Sequence, residues 1–146
     1  MQQDAPILVA EDDENDALLI RRTLSSSGVP NPRVFVQSGE EVINYLVGVS
    51  PYSNRETFPL PALVLLDLSL PVMDGFEVLK WIRAHPHFKD LRVVVLTGSN
   101  NIRDVNEAYR LGANTFLVKP LEFENIASLY GTIGAQLWKA NNPTAK

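Results

Sequence analysis

Five side chains carry the chemistry this sequence offers: Glu11, Asp12, Asp67, Thr97 and Lys119. Each closes or follows a short apolar run, so each stands where a strand would end. Ala62 to Leu66 leads straight into Asp67, and the chain then breaks at Leu70-Pro71 and Asp74-Gly75. If the strands run parallel, all five groups point into one crevice at the carboxyl edge of the sheet, where open α/β sheets hold their ligands. Three carboxylates crowded in a low-dielectric cleft repel one another, and such a cluster requires a cation. Oxygen donors without histidine or cysteine favour a hard ion, and Mg²⁺ suits a site that also holds phosphate oxygens. Lys119 adds a positive charge and Thr97 a hydroxyl donor, which together prepare a place for an anion beside Asp67. A carboxylate so placed can attack phosphorus and form an acyl phosphate once metal and lysine neutralise the transferring group.

Bringing these groups together requires strands and helices to alternate. A continuous apolar run such as Ala62 to Leu66 marks a strand covered on both faces. Strands are expected over Ile7 to Ala10, Arg33 to Val36, the Asp67 stretch, Arg92 to Leu96 and Thr115 to Val118. Between them, Ala17, Ile20 and Leu24 share one face of a first helix that has acidic residues in its first turn and Gly28 beyond its end. Gly39 to Val47 is a short helix with Val42, Ile43 and Leu46 inward. Phe76, Leu79, Ile82 and Arg83 mark a third helix that stops near His85-Pro86. Val105, Ala108 and Leu111 fit a fourth, closed by Gly112. Phe123, Ile126, Tyr130, Ile133, Leu137 and Trp138 form a last helical stripe. Residues 48–61 carry three prolines and no period and read as an extended loop, and residues 141–146 as a flexible tail. The whole, residues 1–146, is one doubly wound α/β domain.

The bulk properties narrow the function. A formal charge of −4 and the absence of any basic run argue against nucleic acid as a partner. With no cysteine there are no disulfides and no thiolate metal sites. Apolar runs are of strand length, far short of the roughly 20 residues of a spanning helix, and no export signal opens the chain. A cytoplasmic protein without membrane partners is expected.

With these residues in place, the chain resembles a response-regulator receiver domain of two-component signalling. The resemblance rests on the acidic pair Glu11-Asp12, on LLDLSLPVMDG around Asp67, on LTGSN containing Thr97 and on FLVKP containing Lys119. It implies a flavodoxin-like five-stranded parallel sheet of order 2-1-3-4-5 with helices on both faces. Asp67 is then the phosphoacceptor, charged by a sensor histidine kinase. Mg²⁺ is held by Asp12 and Asp67 directly, by the Ser69 backbone carbonyl, and by Glu11 through water. Thr97 and Lys119 hold phosphoryl oxygens, and the Lys119-Pro120 bond is cis. Phe116, three residues before the lysine, stands at the aromatic switch position, where tyrosine is frequent in the family. It is expected to rotate inward as Thr97 moves toward the phosphoryl group.

The enlarged 48–61 segment and Leu137-Trp138 resemble the single-domain regulators that work with bacterial phytochromes, making such a phytochrome the candidate kinase. Eight residues follow Trp138, too few to fold alone, so output is expected through protein contact. Homodimerisation through the last two helices is the expected mode, with Tyr109, Tyr130 and Trp138 as interface aromatics. Self-catalysed phosphorylation and hydrolysis are the only reactions expected of this signalling protein, with Ser69 and Ser99 bordering the acceptor. Asp13 reads as a helix cap, Asp74 as a turn residue, and His85 and His87 as surface residues. Two other readings stay open. An aspartyl-nucleophile phosphatase favours a second acid two residues after the nucleophile, where Ser69 stands. A receiver-like binding module that is never phosphorylated usually lacks one of the acids or the lysine, and none is missing.

Overall fold

Successive residues of a strand point to opposite faces of its sheet, so strands that are apolar throughout need cover on both sides. The computed structural model, which describes residues 5–98, 101–120 and 122, has this arrangement. β1 (Ile7–Ala10), β2 (Arg33–Val36), β3 (Leu63–Asp67), β4 (Arg92–Thr97) and β5 (Thr115–Val118) pair in parallel in the order β2-β1-β3-β4-β5. Leu8, Ala10, Val64, Leu66, Val93 and Val95 face α2 (Gly39–Val47), α3 (Gly75–Ala84) and α4 (Ile102–Arg110), meeting Val42, Leu46, Val78, Leu79, Ile82 and Ala108. Ile7, Val9, Leu63, Leu65, Val94 and Leu96 face the other way, onto Ile20 and Leu24 of α1 (Glu14–Ser26). Right-handed crossovers dictate this division, because the chain leaves β1 toward β2 and then returns past β1 to β3. The reversal opens a crevice beyond the carboxyl ends of β1 and β3.

Local sequence ends the helices. Asp13 caps α1 by accepting the Asp16 N–H at 2.9 Å, as expected. Asp74 is more than a turn residue: it caps α3 and shares a reciprocal capping box with Glu77, each side chain accepting the other's backbone N–H. The inward stripe of α2 also differs from expectation. Val42 and Leu46 are buried but Ile43 is only half-buried, and Tyr45 is fully buried in its stead. Its ring can enter the core because its hydroxyl donates to the Pro59 carbonyl at 2.7 Å. His85 is likewise half-buried, its ring 5.0 Å from Trp81 and 4.6 Å from Phe88, whereas His87 is exposed.

No helix or strand forms between Gly48 and Ala62, yet this segment is tied down. Tyr45, Tyr52 and Phe58 pack as three tilted or edge-on rings with centroids 5.1 to 6.1 Å apart. The Tyr52 hydroxyl donates to Glu41 on α2. Arg55 donates to the carbonyls of Tyr45, Leu46 and Phe58, closing the carboxyl end of α2 with a positive charge. Gly48, in the left-handed region at φ 89, makes room for that guanidinium, since a Cβ there would lie 2.9 Å from an Arg55 nitrogen. No helix among the described residues is long and apolar enough to cross a membrane.

Candidate functional site

β3 delivers Asp67 as its last residue, buried at 2 % exposure where the sheet meets solvent. Its Oδ1 accepts the Ser69 N–H at 3.0 Å, while Ser69 itself is exposed on the loop that follows. Gly75, at the start of α3, packs so closely that a Cβ would lie 2.5 Å from the Asp67 carbonyl oxygen and 2.7 Å from Leu68 Cα. Only glycine lets α3 begin against the residue that carries the carboxylate.

β1 ends one residue before Glu11, whose backbone N–H donates to Val36 of β2 at 3.0 Å. Glu11 is therefore driven into the crevice at 2 % exposure, while Asp12 stands at its exposed lip. Carboxylate oxygens of Glu11, Asp12 and Asp67 lie within 4.8 Å of one another. Thr97 closes β4, buried, one residue beyond the Leu96 that lies opposite Asp67, and its carbonyl accepts the Lys119 N–H at 2.8 Å. The Lys119-Pro120 peptide is cis, as expected. The lysine Nζ reaches Glu11 Oε1 at 2.9 Å and Asp67 Oδ2 at 3.2 Å. Phe116 lies back along β5, half-buried and edge-on to Tyr109, with ring centroids 6.0 Å apart. The expected residues of the acidic site thus converge, with Ser69 and Thr97 alongside and Phe116 farther back. Ser99, Tyr130 and Trp138 fall outside the described residues.

One contributor went unread. Asp16, on the first turn of α1, also accepts from Lys119, at 2.9 Å. Its sequence signal is a carboxylate four residues after Asp12, visible only as part of an acidic first turn.

Burial pushes the Glu11 carboxyl up to about 7, with the Asp67 carboxylate adding to the shift and the Lys119 hydrogen bond opposing it. For Lys119, burial disfavours the charge. The hydrogen bonds to Asp16 and Glu11 and the charge on Asp67 outweigh it and hold the ammonium above its ordinary pKa. One ammonium shared by several carboxylates keeps its proton, whereas the most buried carboxylate is not fully compensated by it. A divalent cation fits this deficit, and an all-oxygen donor set fits a hard one.

Comparison with known proteins places the geometry in context. The model of the response regulator receiver domain matches residues 7–130. Response regulator Rcp1 of Synechocystis sp. is 36% identical over 120 residues, covering 82% of this chain and 80% of the relative. The crystal structure of response regulator RPA3017 in red light signalling of R. palustris superposes with a TM-score of 0.81 at 34% identity, covering 86% of this chain and 91% of that one. The Mn(2+)-bound form of Rcp1 gives 0.73 at 34% identity, with 90% and 92% covered. The phosphorylated cyanobacterial phytochrome response regulator RcpA gives 0.75 at 34% identity, with 93% and 95% covered.

Proposed function

This chain belongs to the response-regulator receiver family, and on that premise we propose that Asp67 accepts a phosphoryl group from a sensor histidine kinase in a Mg²⁺-dependent reaction. The protein is a signalling protein related to the phytochrome response regulators. The observation that carries the proposal is the buried Asp67 carboxylate, with Lys119 on one oxygen and the carboxylates of Glu11 and Asp12 within cation-binding distance.

An Asp67 oxygen attacks the phosphorus of a phosphohistidine. The new P–O bond forms as the P–N bond breaks, and the departing imidazole nitrogen keeps the electron pair and takes a proton. Lys119 turns its ammonium onto a phosphoryl oxygen, where it stabilises charge as the transition state forms. Thr97 donates its hydroxyl to a second. Asp12, Asp67, Glu11 and the Ser69 carbonyl would hold Mg²⁺, which when bound neutralises the phosphoryl oxygens.

The signal follows from the displacement of Thr97. Its movement toward the phosphoryl group leaves space that Phe116 fills, repacking α4 and β5, so one local charge biases a two-state element. Ile102 and Tyr109 on α4 are exposed at 67% and 44%, which supports homodimerisation through the last two helices, the final one of which lies outside the described residues. Sedimentation should show a dimer with beryllofluoride bound, and a monomer with and without it would contradict this part of the proposal. A cytoplasmic location goes with the kinase partnership.

The likeness to a red-light regulator makes a bacterial phytochrome kinase the candidate donor. Radiolabelled kinases mixed with this protein provide the test. Transfer from a phytochrome kinase should outpace transfer from an unrelated kinase at least ~10-fold, about 1.4 kcal/mol of discrimination. Equal rates would remove the phytochrome assignment.

A further inference from the structure

The three protons of Lys119 go to three carboxylates, and one of these lies outside the candidate metal cluster. Nζ stands 2.9 Å from Glu11, 2.9 Å from Asp16 and 3.2 Å from Asp67. Glu11 and Asp67 belong, with Asp12, to the group able to hold a cation, and Asp16 does not. We propose that Asp16 is a positioning residue for Lys119, anchoring the ammonium on the α1 side so that it can give up its contacts with Glu11 and Asp67 to a divalent cation and a phosphoryl group. The proposal rests on the reading of Asp67 as phosphoacceptor.

Competition for oxygens is the physical reason. An ammonium and a divalent cation repel each other and seek the same carboxylates. Without Asp16, Lys119 would keep only Glu11 and Asp67 as partners, both of them carboxylates that the cation would also use. Lysine is a point charge on a flexible stem, so its position is set by whatever anchors it.

Asp16 is suited to that task. It is the third residue of α1, its N–H is fixed by the Asp13 cap at 2.9 Å, and its carboxylate sits near the positive end of the helix. Ile20 and Leu24 lock the same helix into the core. The Asp16 side chain is 35% exposed against 0% for Glu11 and 3% for Asp67, so it holds the ammonium from the solvent side of the buried cluster.

A double-mutant cycle separates positioning from simple charge. Mg²⁺ affinity is measured by calorimetry for wild type, Asp16→Asn, Lys119→Met and the double variant, with Lys119→Gln substituted if the methionine protein does not fold. Asp16→Asn should weaken Mg²⁺ binding ~5-fold when Lys119 is present and less than ~2-fold when it is replaced, the signature of coupled residues. Labelling by acetyl phosphate at saturating Mg²⁺ should slow in Asp16→Asn and recover in Asp16→Glu, with the urea midpoint unchanged. Equal weakening in both backgrounds, or wild-type affinity in Asp16→Asn, would overturn the proposal. A wild-type protein that binds Mg²⁺ but is never labelled at Asp67 would instead remove the phosphoacceptor reading, while the calorimetric cycle would still decide the role of Asp16.

Discussion

Lys119→Met should slow phosphorylation of Asp67 about 100-fold at saturating Mg²⁺, the size of effect that follows removal of one preorganised donor to developing negative charge. Lys119 is the cation that contacts Asp67 among the described residues, and its side chain is only 15% exposed, so water cannot substitute well. The same change should destabilise the metal-free protein by about 3 kcal/mol, because Glu11 and Asp67 stay buried without their counter-charge. The pH dependence has a definite sign. Glu11 sits at about 7 in the folded protein against an ordinary value of 4.5, so between these the folded state binds the extra proton. Stability from that proton is fully present below the lower value and is lost as pH rises through the upper one. Without the Lys119 hydrogen bond, which lowers the Glu11 pKa, the window extends upward. Urea unfolding in EDTA should therefore show a larger deficit for Lys119→Met at pH 8 than at pH 6. A deficit that is larger at pH 6 would contradict the linkage.

Arg55→Ala should cost about 3 kcal/mol of stability while leaving the carboxyl edge of the sheet intact. The guanidinium donates to three carbonyls, two of them in the last turns of α2, and hydrogen bonds to a charged donor are worth more than neutral ones. Truncation leaves those carbonyls without their partner and the 48–61 segment tied to α2 only by its rings and by the Tyr52-Glu41 and Tyr45-Pro59 hydrogen bonds, so the three-ring packing of Tyr45, Tyr52 and Phe58 loosens. Arg55→Lys should recover only part of the loss, since one ammonium cannot reproduce the fork that spans Tyr45, Leu46 and Phe58. Urea denaturation reads the stability and near-ultraviolet circular dichroism the ring packing. A loss under ~1 kcal/mol for Arg55→Ala would mean that the rings and the two tyrosine hydrogen bonds hold the segment without the guanidinium.

How much of this was legible before the structure depended on the range of each interaction. Ile7–Ala10, buried on both faces, leaves a local composition signal, and the edge strands Arg33–Val36 and Thr115–Val118 match their expected bounds from apolar runs that are mostly half-buried. Asp67 was legible for the same reason, as the charge that ends such a run. The stripe of α2 was misplaced at Ile43 because periodicity alone cannot tell that Tyr45 has the Pro59 carbonyl waiting for its hydroxyl. Asp74 looked like turn chemistry because Asp-Gly is a turn pair, and the capping box with Glu77 is what makes it a cap. Arg55 left no signal of its role, and Asp16 showed only as part of an acidic first turn. One reaches carbonyls that a proline-rich stretch brings back to it, and the other meets a lysine 103 residues away, a distance only the sheet topology closes. The last helical stripe, from Phe123 to Trp138, lies outside the described residues.

The most direct test of the central claim is to locate the phosphoryl group. The protein would be incubated with Mg²⁺ and acetyl phosphate, and with a radiolabelled kinase in parallel. It would then be reduced with borohydride, which converts an aspartyl phosphate to homoserine, and mapped by mass spectrometry, with Asp67→Asn and a magnesium-free sample alongside. The account predicts homoserine at position 67 in the complete reaction and nowhere in either control. Modification at another residue, undiminished labelling in Asp67→Asn, or no labelling from either donor would contradict it.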